Sequence, residues 1–173
     1  MVQALAKLSV RGDCMKIEYE PIGIIHSSFR LPEGMPIQPA GAEGITGTVE
    51  VFDEFAEGLK DLDGFSHIIL IYHFHRSSGF DLHVAPFMDS AQRGVFATRA
   101  PRRPNPIGLS VVGLIKIEGA ILHVRNIDIL DGTPLLDIKP YVPDFDHHQV
   151  TRFGWLEQVR GRVKKERADD RFK

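Results

Sequence analysis

Residues 94–110, GVFATRAPRRPNPIGLS, place three arginines (Arg99, Arg102, Arg103), three prolines (Pro101, Pro104, Pro106) and one amide (Asn105) between two strand-like apolar runs. A planar guanidinium presents a fork of donors that matches carboxylate or phosphate. Proline fixes φ, so such a loop loses little entropy when it holds its arginines in place. The chemistry this points to is a rigid, preorganised anion-binding loop. The competing reading pairs single arginines with acidic residues of neighbouring strands. Exposed ion pairs contribute little stability, so a stiff loop with three cations calls for a further reason. Strand alternation predicts Val95, Ala97 and Arg99 on one face, with Arg99 closing a strand and Arg102 and Arg103 beyond it.

Other residues could also do chemistry. His73 and His75 are two apart and face the same way on a strand. With His67, or with Asp146, His147 and His148, they could ligate a metal, but no third ligand has a diagnostic spacing, so no metal is expected. His75 and Arg76 at a strand end fit a ligand pocket better, since neutral imidazole both donates and accepts. In residues 128–141, DILDGTPLLDIKPY, Asp131 and Gly132 form a turn whose backbone could approach a ligand closely. Asp137 and Lys139 share a strand face, where they could pair with each other or share a substrate. Residues 36–39, PIQP, are by themselves a rigid loop with one amide. There is no phosphate-binding glycine loop, no GxGxxG after a strand, no GxSxG elbow and no HExxH.

The elements that must position these residues are mostly strands. Residues 16–27, 46–52, 65–75, 109–117, 120–127 and 135–138 read as strands, the third long and β-branched enough to be central. Pro21 marks an edge or a bulge. Glu118-Gly119 and Asp131-Gly132 mark turns. Asp53 reads as the N-cap of a short helix with Phe55 and Leu59 on one face. Residues 30–44 and 77–93 read as loops, the second long enough to suggest function. A helix is expected over 151–170, its end highly charged. The predicted fold is therefore mainly β: a single antiparallel β-barrel domain with a short helix and a C-terminal helix, closed or nearly so. Residues 1–14 read as an extension, with Met15 an alternative start, 15–150 as the barrel and 151–173 as a charged tail.

Composition agrees. The chain has 173 residues, 43% hydrophobic and 25% charged, with net charge −2. One domain with a sizeable core is expected, and any nucleic-acid contact must be a local patch. Cys14 is the only cysteine, which excludes an intrachain disulfide and fits a reducing, cytoplasmic setting. No apolar run reaches the ~20 residues that span a bilayer, so no membrane contact is expected.

Taken together, the segments IGIIHS, PIQP, DLDGFSHIILIYHFH, GVFATRAPRRPNPIGLS and LDGTPLLDIKPYVP resemble the TsaA-like family, which includes the TrmO tRNA methyltransferases. They occur in the family's order and cover about residues 19–144. The resemblance implies a β-barrel that binds S-adenosylmethionine, works as a homodimer and methylates N6 of threonylcarbamoyladenosine beside the anticodon of tRNA. It implies cofactor contacts at Pro36, Ile37, Gln38, His75, Arg76, Arg99, Leu109, Asp128, Ile129, Leu130 and Asp131. Asp137, Lys139 and Tyr141 match the family's motif near the reaction centre, and so stand as catalytic candidates. The loop tip, Arg102, Arg103 and Asn105, is assigned to tRNA phosphate or to the substrate's threonyl carboxylate. Two positions depart from the family: Ile37, where a basic residue is common, and Arg76, where glutamine is common. Many bacterial members also continue into a further small domain. A non-catalytic S-adenosylmethionine- or RNA-binding barrel, and a methyltransferase with another acceptor, remain the alternatives. The basic residues Arg160, Arg162, Lys164 and Lys165 read as a solvated helix face or a second tRNA contact.

Overall fold

The computed structural model describes residues 16–159 and 161–172; the 1–14 extension, Met15, Arg160 and Lys173 lie outside the described residues. Among the described residues there are eight strands: β1 (Gly23–His26), β2 (Thr46–Val51), β3 (His67–His73), β4 (His83–Val84), β5 (Arg93–Gly94), β6 (Ile107–Glu118), β7 (Ile121–Arg125) and β8 (Thr133–Pro140). Six of them close a barrel in the order β1-β2-β7-β6-β3-β8, every pairing antiparallel. β4 and β5 form a separate two-stranded pair. No helix among the described residues is long and apolar enough to cross a membrane.

Alternation decides what fills the barrel. Along β3, Ile68, Leu70 and Tyr72 are buried while Ile69 and Ile71 face outward, half-buried. The inward row meets Ile25, Val49, Val112, Leu122, Val124 and Leu135, all without solvent exposure. A bulge in the β3–β8 pairing falls at Ile71/Tyr72. It lets Leu135 and Ile138, three residues apart, both pack on the core, and so turns Asp137 and Lys139 together to the outside. The β6–β7 hairpin turns through Gly119 at φ 61°, one residue later than the sequence suggested.

Several expectations need correction. Only Gly23–His26 of residues 16–27 pairs in the sheet. Residues 53–59 form a 3-10 helix whose N-cap position is Phe52, not Asp53. With three residues per turn, Phe55 and Leu59 no longer share a face: Phe55 is exposed and Leu59 buried. Val95–Ala97 is a 3-10 turn rather than a strand leading into Arg99. The Thr98 hydroxyl donates to Val95 O (2.9 Å), offering the backbone a local partner in place of a sheet ladder. Among the described residues of 151–170, 3-10 turns stand where the tail helix was expected. Gly154 and Gly161 adopt left-handed φ of 58° and 80° and divide the tail into 3-10 turns, Gly154–Val159 and Arg162–Lys164. The one α-helix described is the single turn α1 (Pro143–Asp146).

Freed from a helix, the tail runs as a strap. Arg167 bridges to Pro36, and Ala168 exchanges backbone hydrogen bonds with the 34–35 loop, its N–H to Met35 O (2.9 Å) and its carbonyl from Gly34 N–H (2.9 Å). Arg171 donates to Pro86 O (2.7 Å). The loops at one end of the barrel are thus tied together by the tail.

Candidate cofactor and active site

That end of the barrel holds a cavity of about 700 Å³. The barrel supplies one wall. Tyr72 and Ser110 point inward near the ends of β3 and β6, and Asp128 stands just beyond β7. The Ser110 hydroxyl donates to Asp128 Oδ1 (2.7 Å), so the Tyr72 hydroxyl, 3.1 Å away, donates to Ser110. Gly108 makes room for this arrangement, because a Cβ there would lie 2.2 Å from the Tyr72 ring. Burial lifts the Asp128 carboxyl to about 6, although the Ser110 hydrogen bond and the charge of Arg99 pull the other way. Burial also raises the Tyr72 phenol well above its ordinary value. Tyr72, Ser110 and Asp128 thus form a hydrogen-bonded chain whose two ends, Tyr72 and Asp128, line the cavity.

The second wall is made of loops. Arg99 Nη1 donates to Gln38 Oε1 (2.7 Å), joining the arginine loop to the PIQP segment. His75 Nδ1 lies 3.3 Å from Thr133 Oγ1, and burial, with the nearby charge of Arg76, lowers the pKa of its imidazole from the ordinary value. The strap adds Ala168, Asp169 and Phe172. Ser77 Oγ, on this wall, is buried without a hydrogen-bond partner.

Of the expected cofactor residues, Pro36, Ile37, Gln38, His75, Arg76, Arg99, Leu109, Asp128, Ile129 and Leu130 all line this cavity. Asp131 does not. Its carboxylate accepts Ser27 N–H (3.2 Å) and pairs with Arg30 (3.3 Å), holding the 27–30 turn against the start of β8. Arg103 and Asn105 also line the cavity, and Arg102 does not. Arg103 Nη1 turns back to Thr98 O (3.2 Å) and Ala100 O (3.4 Å), and Arg102 Nε stands 3.2 Å from Asp81 Oδ2. These arginines shape the loop before they meet any ligand. Asp137 and Lys139 pair with each other at 2.7 Å on the outer barrel face, with side chains 44% and 58% exposed, and neither lines the cavity. Tyr141 lies at the far end of that row, edge-on to His67. Among the described residues, no three His, Cys, Asp or Glu side chains are grouped to hold a metal ion.

The sequence reading missed Tyr72, Ser110, Ser77, Thr133 and Phe172. The first two carry a signal that alternation could have found. They are polar residues in the inward rows of otherwise apolar strands.

Residues 24–147 match the family model described as the tRNA-methyltransferase O N-terminal domain. The chain belongs to this family. A protein of Pyrococcus abyssi named a probable S-adenosyl-L-methionine-binding protein is 60% identical over 158 residues, covering 91% of this chain and 86% of its own. The tRNA (adenine(37)-N6)-methyltransferase of Mus musculus is 36% identical over 137 residues, 75% of this chain and 32% of that protein. The crystal structure of TrmO from Pseudomonas aeruginosa superposes with a TM-score of 0.69 at 42% identity, over 82% of this chain and 63% of that one. The chain thus spans less than two thirds of that TrmO structure. The TrmO-type barrel is the part they share, and the cavity just described lies mainly within it.

Proposed function

We propose that this protein binds S-adenosylmethionine in the barrel-mouth cavity and transfers its methyl group to N6 of threonylcarbamoyladenosine beside the anticodon of tRNA. The observation that carries the reading is the gathering of the family's cofactor positions from four separate segments around one cavity of about 700 Å³. That volume suits a ligand of this size. The donor set suits its chemistry as well. Asp128 accepts from ribose hydroxyls or the ammonium, Arg99 and Arg76 meet the carboxylate, and the orphaned Ser77 hydroxyl needs a partner that a polar ligand supplies. The bound cofactor supplies an electrophilic methyl on a sulfonium, displaced in line.

The chain's own residues have two tasks: positioning, worth several kcal/mol, and removal of a proton from a urea-type nitrogen. The Asp137–Lys139 pair is suited to the second. A neutral lysine base needs burial, whereas Lys139 is 58% exposed beside a carboxylate. Lys139 therefore stabilises negative charge on the carbamoyl oxygen, and Asp137 takes the proton.

Asp137 stands opposite Ile71, which stands opposite Leu109 on the cavity rim. Two strand spacings put the pair about 10 Å from that rim. A homodimer closes this gap. The outer face carries Ile69, Ile71 and Val111, half-buried, with Leu109 and Ile107 exposed, an apolar surface that a second copy covers. It then brings one protomer's Asp137 and Lys139 to its partner's cavity. The test uses labelled S-adenosylmethionine with tRNA that carries or lacks threonylcarbamoyladenosine, followed by nucleoside mass analysis. The methylated nucleoside is expected only from the modified tRNA. Methyl on another nucleoside contradicts the acceptor, and no methyl at all, from protein that binds the cofactor, leaves a non-catalytic binding barrel.

A further inference from the structure

A second cavity, of about 640 Å³, adjoins the first and is shared with it along Ile37, Gln38, Phe87, Thr98, Arg99 and Phe172. Its own walls are aromatic. Trp155 donates its indole N–H to Ala97 O (2.8 Å), which fixes the plane of the ring. Phe96 stands on the rim at 76% exposure, the most exposed large apolar side chain among the described residues. Two arginines flank the site without filling it. Arg93, held by Asp89, lies 5.9 Å from the Trp155 ring centre, and Arg171 lies 5.3 Å from that of Phe87. Trp155 and Phe172 lie C-terminal to the residues matched by the family domain, so that domain alone does not build this cavity.

One exposed ring, Phe96, beside a half-buried indole, with guanidiniums stacked close by, is chemistry that holds unpaired bases. Every base offers a π face, and guanidinium planes supply charge for the strand that carries it. The shared wall sets this site directly beside the proposed cofactor cavity. We propose that the Trp155–Phe96 cavity is a stacking site for the unpaired nucleobase that neighbours the methyl acceptor in the bound RNA. The inference rests on the tRNA-methyltransferase reading above. It goes beyond it by assigning a separate site for substrate RNA to the tail strap and the 86–97 loops.

Trp155 is the only tryptophan, so its fluorescence reports on this cavity alone. The experiment titrates the full chain, with S-adenosylhomocysteine present, with an anticodon stem-loop carrying threonylcarbamoyladenosine, and with the same RNA made abasic on either side of the acceptor. Intact RNA is expected to quench Trp155, and one of the abasic forms not to. Phe96→Ala should weaken RNA binding about tenfold, a typical cost of losing one stacking ring, while Phe96→Tyr restores it and cofactor affinity stays constant. Equal RNA binding by wild type and Phe96→Ala, with no quenching, overturns the proposal while leaving the methyltransferase intact. Quenching by cofactor alone, with cofactor affinity lost in Phe96→Ala, assigns the cavity to the cofactor instead. A change in particle mass in Phe96→Ala with RNA binding unchanged makes the face an interface between copies. Failure of wild type to bind any of these RNAs overturns the methyltransferase reading and this one with it.

Discussion

The two walls of the barrel-mouth cavity are built by different physics. The barrel wall is built on inward residues of paired strands, where Tyr72 and Ser110, with Asp128 just beyond β7, satisfy one another above a core of aliphatic side chains. The loop wall consists of segments 35–38, 75–77, 98–105 and the strap at 168–172, joined by a few hydrogen bonds such as Arg99 to Gln38 and Ala168 to Met35. One wall is held by burial and closure, the other by stiff prolines and backbone clasps. The difference teaches where each part of the function resides. The barrel side presents one partly buried acceptor, Asp128, just beyond β7, while the loops present cations and rings that a bound ligand completes. Elements that open and close around ligands are drawn from the less stable parts of a fold, and the loop wall has that character.

The largest expected effect separates the walls by stability. Leu70→Ala removes a fully buried side chain from the barrel and should cost about 2–5 kcal/mol in urea denaturation. Phe172→Ala loses the edge contact to Phe87 and the packing of a partly buried ring on Val84, Val95 and Ala100, and should cost less, about 1–2 kcal/mol, yet weaken cofactor binding. Equal costs would mean that the strap is part of the core.

Asp128 sharpens the comparison through pH. Its folded pKa, about 6, lies above the ordinary 3.8. The stability it contributes is therefore complete below about 3.8 and lost as pH rises through about 6. Asp128→Asn keeps the Ser110 hydrogen bond and removes the buried charge. It should raise stability by about 1–2 kcal/mol at pH 7.5 and change nothing at pH 3.5. Thermal unfolding at the two pH values checks this, and a loss of stability at pH 7.5 would contradict it.

On the loop wall, Gln38→Ala should leave stability within about 0.5 kcal/mol, since the Arg99 partner is exposed, but should raise the cofactor Kd several-fold. The smallest effect belongs to Arg102. If it meets a tRNA phosphate as well as Asp81, Arg102→Ala lowers the salt slope of tRNA binding by about one; an unchanged slope confines it to its Asp81 pair.

Sequence legibility follows the same division. The barrel could be read because alternation repeats along β3 and β6 and because Gly119 marks a tight turn, which are local signals. The bulge opposite Ile71 could not be read, since it exists only when β8 must present both Leu135 and Ile138 to one core. The tail defeated periodicity for another reason. Its charged residues mimic a solvated helix, while Gly154 and Gly161 and the contacts of Arg167, Ala168 and Arg171 pull it across distant loops. The segments that line the cavity were legible through family resemblance. The relay behind Asp128 was not, because Tyr72 and Ser110 become partners only when β3 and β6 pair.

The most direct test is a calorimetric titration with S-adenosylmethionine at pH 8 and pH 5, for wild type and Asp128→Asn. Saturable binding by wild type that weakens as Asp128 takes up a proton through about pH 6, and weak, pH-independent binding by the variant, is the predicted result. No saturable binding by wild type, or equally tight binding by both proteins at both pH values, would contradict it.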